Sequence, residues 1–521
     1  MARTYKKAIF LLIIFGILIR CLVASCIELG NDEVYYWTYS QYLQWNYFDH
    51  PPLVAILIRL TTLNLSVQNV EFFVRLGSIV CSAFATYFIY KAVSNTDTER
   101  AGFIAALLYN ASLYGSIIAG VFILPDSPQM FFWTASLLVL TKLIISKKPN
   151  VFQWGLFGVL AGLTIMSKIH GVFIWTGLFL YIIFYKREWR RSWQIYLSAA
   201  MTFLVSFPFL LWNFKNHFIT YQYHSSRLEG IQFRTDNFFR EIFGEIFYNN
   251  PINVFFTFIA LSWFLRNAKN LRKDFLRISV LIAVPMILLL LFLAMFNDTL
   301  PHWTGPAYVT LIPLTAIYLS KTKIHKIIPT AVKYALAFTF LVVVVGVTAI
   351  KFYPGTLGKK KSNFKYGEGD VTLDMYGWNS AAKKIDSFII ADEASGIMSR
   401  DAEFVSNKWF PAAHIDYYIA RPLHKFVIGI GEMNDLHHYE WLNGYRLKDR
   451  SLNEAYCVVP SNYANDVRMS YADKFQSIDS ATAFSVYRSN KICKYFFLYR
   501  MKNFIGVAPK VSQNYWHSND H

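Results

Sequence analysis

Between Gly30 and Leu53 the chain reads GNDEVYYWTYSQYLQWNYFDHPPL, which sets Asp32, Glu33, Asp49 and His50 among aromatic residues directly after the first long apolar run. A loop that only joined two helices has no use for three carboxylates and an imidazole. Such groups serve as general bases when held within reach of a proton, or as oxygen and nitrogen ligands for a divalent ion. Pro51 and Pro52 pre-set the backbone and would hold Asp49 and His50 in a fixed direction. Further polar residues recur at similar junctions: Asp126 in LPDSP, Lys168 and His170 in MSKIHG, His217, His224 and Arg227 in WNFKNHFITYQYHSSRLEG, and Asp298 and His302 in FNDTLPHW. Plainer readings stay open for two of them. Asp126 could cap a helix ahead of Ser127-Pro128, and His302, beside Trp303, could be an interfacial belt residue.

The elements that position these residues are apolar. At 521 residues, 55% hydrophobic and 18% aromatic, with a mean hydropathy of +0.30, the chain exceeds what a soluble core needs. Runs long enough to cross a hydrocarbon core of roughly 30 Å recur near residues 8–27, 71–92, 101–122, 128–146, 152–167, 171–185, 195–212, 251–266, 276–296, 303–320 and 330–352. This predicts a polytopic α-helical membrane protein of about eleven spans. The first run, flanked by Arg3, Lys6 and Lys7, reads as a retained helix, because no convincing small-residue cleavage site follows it.

Basic residues accumulate in short cytoplasmic loops. Lys142, Lys147 and Lys148, then Lys186, Arg187, Arg190 and Arg191, then Arg266, Lys269, Arg272, Lys273 and Arg277, and finally Lys321, Lys323 and Lys326 all fall on one side if the N-terminus is cytoplasmic. The first outer loop (28–70), Asp126, the Lys168–His170 turn, the 213–250 loop and the 297–302 turn then share the opposite face. Lys168 is the odd cation there, which suits an anion ligand. Ionisable groups near membrane depth are costly unless they pair or line a cavity. The net charge of +18 is mostly topological: residues 353–521 carry 21 Lys or Arg against 18 Asp or Glu, so most of the excess lies in the membrane part. That distribution argues against nucleic-acid binding, which calls for a basic patch on a soluble module.

The chain divides into a membrane domain, 1–352, and a tail, 353–521, that changes character after Tyr353-Pro354-Gly355. In the tail, KFVIGI (425–430), AYCVVP (455–460) and FSVYR (484–488) read as strands and WNSAAKKIDSFI as a helix, which predicts a small α/β soluble domain. With an odd number of spans it lies outside. Cys21, Cys26 and Cys81 fall in apolar runs, where a thiol acts as a small hydrophobe. Cys457 and Cys493 could pair in an oxidising compartment.

An acidic pair straight after the first span, then YFDHPPL, LPDSP, MSK, LWN before a basic and aromatic loop, and PHW before a late span together resemble the bacterial relatives of dolichyl-phosphate-mannose protein mannosyltransferases, glycosyltransferase family 39. DMYGW and the AAHIDYYIARP to HHYEWLNG region look similar to that family's soluble domain. The chain is also similar to the aminoarabinose transferases that modify lipid A, although these have Glu-Lys where it has Asp49-His50. The resemblance implies a GT-C type fold with first-loop helices lying along the outer membrane surface, a sugar donor carried on a polyprenyl phosphate, a lipid, glycan or protein acceptor, and a bacterial inner membrane with the tail in the periplasm.

The chemistry expected is a single displacement at the anomeric carbon, with an acceptor hydroxyl attacking and polyprenyl phosphate leaving. Asp32 is the first choice of base, with Glu33 orienting the acceptor or supporting the loop and Asp126 assisting Asp32 or standing in the acceptor channel. Lys168 and Arg227 are candidates to stabilise the phosphate. Asp49, His50 and His302 could supply ligands to a divalent metal ion. The competing class is a transporter or flippase of a lipid-linked or anionic solute. Transporters place ionisable groups near the midplane on broken helices, whereas here they concentrate at one surface.

Overall fold

A computed structural model describes residues 2–146, 150–226, 233–266, 273–322, 327–448 and 451–506. The chain separates into two compact units. One comprises Met1–Ala24 with Leu43–Val344, the other Ser25–Tyr42 with Val345–His521.

Every apolar run is helical, because an apolar segment in lipid must satisfy its own backbone groups. In chain order the helices are α1 (Ala2–Cys26), α2 (Asn31–Gln41), α3 (Leu53–Thr61), α4 (Glu71–Thr96), α5 (Glu99–Ala111), α6 (Asp126–Ile145), α7 (Val151–Ser167), α8 (Val172–Phe184), α9 (Trp193–Lys215), α10 (Ile219–Ser226), α11 (Thr235–Tyr248), α12 (Pro251–Arg266), α13 (Lys273–Ala294), α14 (Gly305–Thr322) and α15 (Thr330–Phe352). Among the described residues, six helices are long and apolar enough to cross a membrane, those built on α1, α4, α6, α9, α13 and α15; α7, α8 and α12 are shorter apolar helices. The protein is a multi-pass membrane protein. Helices α2, α3, α10 and α11 lie in the stretches between the expected spans.

Inside the bundle, small polar side chains join neighbouring helices, as expected where hydrophobicity alone cannot drive association. Ser198 and Thr202 of α9 donate to the carbonyls of Trp154 and Gly158 on α7 at 2.7 and 2.8 Å. The Trp133 indole of α6 donates to Thr310 Oγ1 of α14 at 2.8 Å. Asn250 Nδ2 donates to the carbonyls of Ala111 and Ala335, both at 2.8 Å, tying the ends of α5 and α12 to α15. Large apolar side chains such as Phe203, Phe258, Phe292 and Phe340 are exposed around the outside, where lipid would cover them.

The second unit is a small α/β assembly, as the tail sequence predicts. Strands β1 (Glu403–Ser406), β2 (Val427–Gly429), β3 (Ala455–Pro460), β4 (Phe475–Ile478), β5 (Thr482–Arg488) and β6 (Lys491–Phe504) form one sheet in the order β2-β1-β3-β6-β4, with β5 also on β6. β1 runs parallel to β2 and β3, while β3, β4 and β5 are antiparallel to β6. The buried Asp416–Arg446 pair (2.6 Å) and the Asp370–Arg488 pair (3.1 Å) lie inside this unit. Cys457 and Cys493 are free, buried thiols, so the pairing considered from the sequence is not formed.

The boundary differs from the expected cut after residue 352 in two respects: the second unit starts at Val345, and Ser25–Tyr42 groups with it. The reason is polar. The Glu28 carboxylate accepts the amides of Trp378 and Asn379 at 2.8 and 3.1 Å. The Leu29 amide donates to Tyr418 Oη at 2.7 Å, and Asn31 Nδ2 donates to Asp374 Oδ2 at 3.1 Å. Tyr35 of α2 packs on Trp409 with ring centroids 4.9 Å apart.

Candidate active site

The acidic residue of LPDSP opens α6 but does not cap it. Pro125 occupies the cap position without a side-chain cap bond, and the Asp126 carboxylate turns away to other partners. Lys168 Nζ donates to both of its oxygens, at 3.0 Å to Oδ1 and 2.8 Å to Oδ2, and Tyr114 Oη donates to Oδ1 at 2.9 Å. All three side chains are buried. A buried charge needs a partner with its remaining hydrogen bonds satisfied, and this triad meets that need for Asp126.

Local backbone places each member. Lys168 ends α7 in an extended conformation (φ −157°, ψ 136°) and a single 3₁₀ turn, Ile169–Gly171, leads into α8. Gly171 makes the turn possible, because a Cβ there would lie 2.6 Å from the Ile165 backbone nitrogen. Tyr114 sits in a π-helical turn, Tyr114–Ile118, an irregularity frequent at functional sites. Arg20 of α1 braces that turn, donating to the Ser116 carbonyl at 3.2 Å and to Asn110 Oδ1 at 2.9 Å. Gly305, at the start of α14, leaves room for the Tyr114 ring, which a Cβ would meet at 2.4 Å.

Lys168 also faces a cavity of about 410 Å³ in the first unit. Asp49, His50 and Pro51 enter it from the first loop, His170 and Phe173 from the turn into α8, Thr220 and Tyr221 from α10, and Asn297, Asp298 and Thr299 from the turn after α13. Phe209 and Leu289, Leu290 and Leu293 supply an apolar wall. The first-loop turn is anchored to α10: Asn46 Nδ2 donates to Thr220 Oγ1 at 3.0 Å, and Phe48 packs on Tyr223 at 4.6 Å. The structure thus brings Asp49, His50 and Lys168, named from the sequence for different roles, to one cavity, with Asp126 hydrogen-bonded to Lys168.

The other candidates lie elsewhere. His302 does not line the cavity; it packs edge-on against Tyr248 at 6.0 Å, and burial lowers its imidazole to about 4, opposed by the charge of Asp126. Among the described residues no group of three or more His, Cys, Asp or Glu side chains is arranged to hold a metal ion. Asp49, His50 and His302 thus do not converge as the expected ligand trio. Asp32 and Glu33 belong to α2 in the second unit. Glu33 is buried, and its Oε2 accepts the Gly30 amide at 2.9 Å, which serves the start of the helix. Asp32 stands exposed in the same first turn. Arg227 and the side chain of His224 lie outside the described residues.

Four contributors escaped the sequence reading. Tyr114 is one tyrosine among 33 within an apolar run. Arg20, a charge inside the first span, was a legible signal. Glu241 and Glu245 lie one turn apart on the buried side of α11: Thr299 Oγ1 donates to Glu241 Oε2 at 2.7 Å and Tyr308 Oη to Glu245 Oε2 at 3.0 Å. Desolvation first, then the Glu241 charge, push the Glu245 carboxyl up to about 8. Phe239, Phe243 and Phe247 alternate with them at the same four-residue spacing on the exposed face, a pattern that could have revealed this helix.

The chain, a helical bundle with a small sheet unit, has a GT-C type fold. Residues 49–212 match the family described as dolichyl-phosphate-mannose-protein mannosyltransferase, which bears out the resemblance carried by the motifs. The chain is 27% identical over 301 residues to the lipid A galacturonosyltransferase RgtD of Rhizobium johnstonii, a match covering 56% of this chain and 61% of that relative's length. The structure is similar to ArnT from Cupriavidus metallidurans bound to undecaprenyl phosphate, with a TM-score of 0.63, 12% identity and coverage of 94% and 97% of the two chains. The apo form of that protein gives a TM-score of 0.62 at 11% identity, over 95% and 98%.

Proposed function

We propose that the protein is a membrane glycosyltransferase that moves a sugar from a polyprenyl-phosphate donor to a lipid acceptor at the outer face of a bacterial inner membrane. The observation that carries this reading is the cavity in which His50, Lys168 and His170 share space with Phe173, Phe209 and the three α13 leucines. A phosphate joined to an isoprenoid has that same division between anion and hydrocarbon. Support for the donor and for a lipid acceptor comes from the relatives, one named for lipid A and the other bound to undecaprenyl phosphate. The basic-loop pattern supports a cytoplasmic N-terminus and a periplasmic tail.

In the proposed reaction an acceptor hydroxyl oxygen forms the new bond to the anomeric carbon. The bond from that carbon to the phosphate oxygen breaks, and its electron pair leaves on polyprenyl phosphate. Lys168 offsets the charge that grows on the leaving phosphate, and the Asp126 carboxylate, itself held by Tyr114, keeps the Lys168 side chain aimed. His50 and His170 orient the phosphate. The acceptor hydroxyl gives up its proton to a general base, the role for which the sequence puts Asp32 first.

The test is incubation of purified protein with a polyprenyl phosphosugar and extracted envelope lipid. Acceptor-dependent release of polyprenyl phosphate with a sugar added to the lipid is expected. Movement of the donor across a vesicle membrane without cleavage would overturn the reading in favour of a transporter.

A further inference from the structure

The chain leaves α15 through a basic stretch that the proposed transfer does not use. Val345–Phe352, the last turns of that membrane-length helix, belong to the second unit, so this unit begins at a membrane surface. From Lys351 to Val371 the sequence carries five lysines, three of them in the run Lys359-Lys360-Lys361, against Glu368 and Asp370. Both carboxylates are taken, Glu368 by Lys359 and the buried Asp370 by Arg488, each at 3.1 Å. Neither is left for Lys360, Lys361 or Lys365, all exposed. Arg488 fixes the stretch to the helix end. Its guanidinium donates to the Ile350 carbonyl in the last turn of α15 at 3.1 Å, and to Thr372 Oγ1 and Asp370 Oδ2 at 2.7 and 3.1 Å. The Leu357 amide donates to the same Asp370 oxygen at 2.8 Å. Leu357 and Val371, the neighbour of Thr372, therefore flank the α15 exit, and they are 55% and 74% exposed beside Phe352 at 62%. The loop between them closes on itself: the Lys359 amide donates to the Glu368 carbonyl at 3.0 Å and the Gly367 amide to the Lys359 carbonyl at 2.7 Å. Lys491, exposed at the start of β6, joins the lysines, since a Cβ on Gly355 would lie 3.4 Å from its own Cβ.

We propose that the α15 exit docks anionic phospholipid headgroups of the leaflet in which that helix ends. A bilayer surface takes both halves of this face at once, the ammonium groups at the phosphates and Phe352, Leu357 and Val371 at the boundary with the acyl chains. An acidic protein or a nucleic acid would match the lysines but leave the three apolar side chains in water, and it would compete for a surface that lipid already occupies. The loop is held by its own hydrogen bonds and by Arg488, so docking orders little that is not ordered already. The proposal needs only that α15 crosses the membrane, and it does not rest on the transferase reading.

The test is amine acetylation of the full chain in nanodiscs of phosphatidylcholine alone or mixed equally with phosphatidylglycerol, with the rate at each lysine read by mass spectrometry. Lys360, Lys361 and Lys491 should react about fivefold or more slowly in the mixed discs, the scale of attraction of one lysine to an anionic surface. Lys502, about 35 Å away along β6, should react equally in both. The variant Lys360→Gln with Lys361→Gln, which alters exposed side chains only, should bring Lys365 and Lys491 back to within about twofold of their phosphatidylcholine rates. Inorganic phosphate added to phosphatidylcholine discs should protect none of them. Equal rates at Lys360 and Lys361 in the two discs, equal slowing at Lys502, protection of Lys491 untouched by the double substitution, or protection by phosphate alone would overturn the proposal.

Discussion

Lys168 closes a two-pronged hydrogen bond on Asp126, at 2.8 and 3.0 Å, with both side chains buried. The pair joins the end of α7 to the start of α6, and it sets a fixed cation at the edge of a cavity that also holds His50 and His170.

Breaking this pair from one side leaves a buried charge alone. Asp126→Asn or Lys168→Met should lower unfolding stability by about 3–5 kcal/mol and abolish transfer. The double variant Asp126→Leu with Lys168→Met should regain most of the stability, since apolar replacement of a buried pair is often neutral, but none of the activity. Thermal denaturation alongside a transfer assay separates the two effects. Activity in the double variant would remove Lys168 from the chemistry.

Asp32 is exposed in the first turn of α2, where a carboxylate favours the helix start by about 0.3–1 kcal/mol. Asp32→Asn is expected to fold normally and to transfer no sugar from a polyprenyl phosphosugar. A variant with full turnover would exclude Asp32 as the base.

His50 and His170 act on the donor rather than on the acceptor in this scheme. Alanine at either position should raise the KM for the polyprenyl phosphosugar about tenfold, a loss of about 1.4 kcal/mol in binding, with the KM for the acceptor unchanged. Steady-state kinetics with each substrate varied in turn distinguishes this from a general loss of structure, which would move both.

Glu245 gives a pH signature. Its folded-state pKa, about 8, lies above the ordinary 4.5, so the native protein holds a proton there that the unfolded chain has lost. Its contribution is favourable at low pH and fades as pH rises from about 4.5 through 8. Glu245→Gln should therefore melt higher than the parent at pH 8.5, by roughly 1–3 kcal/mol for removing a buried, partly unsatisfied carboxylate, and the gap should close near pH 5. A constant gap across that range would assign the effect to packing.

Much of the architecture was legible because it depends on short stretches of sequence. An apolar run in lipid has no choice but helix, so α1, α4, α6, α9, α13 and α15 follow from composition and length. In the tail, KFVIGI, AYCVVP and FSVYR became β2, β3 and β5 because β-rich runs between turn residues have few other uses. β6 went unread, since KICKYFFLYRMKNF alternates poorly; it is a strand because both of its edges are paired, with β3 on one and β5 and β4 on the other.

By itself the sequence determined that polar chemistry gathers at the ends of apolar helices, and it named Asp32, Asp49, His50, Asp126 and Lys168 as candidates. Only the tertiary structure decided their company. Asp126 belongs to Lys168 and Tyr114 because burial obliges a charge to find partners wherever the fold supplies them, and those partners are 42 and 12 residues away. Asp49 and His50 meet His170 because α10 and the α7–α8 turn bring remote segments to one cavity. Residues 25–42 join the tail because Glu28, Leu29 and Asn31 find their hydrogen bonds there, partners more than 340 positions distant that no local pattern encodes.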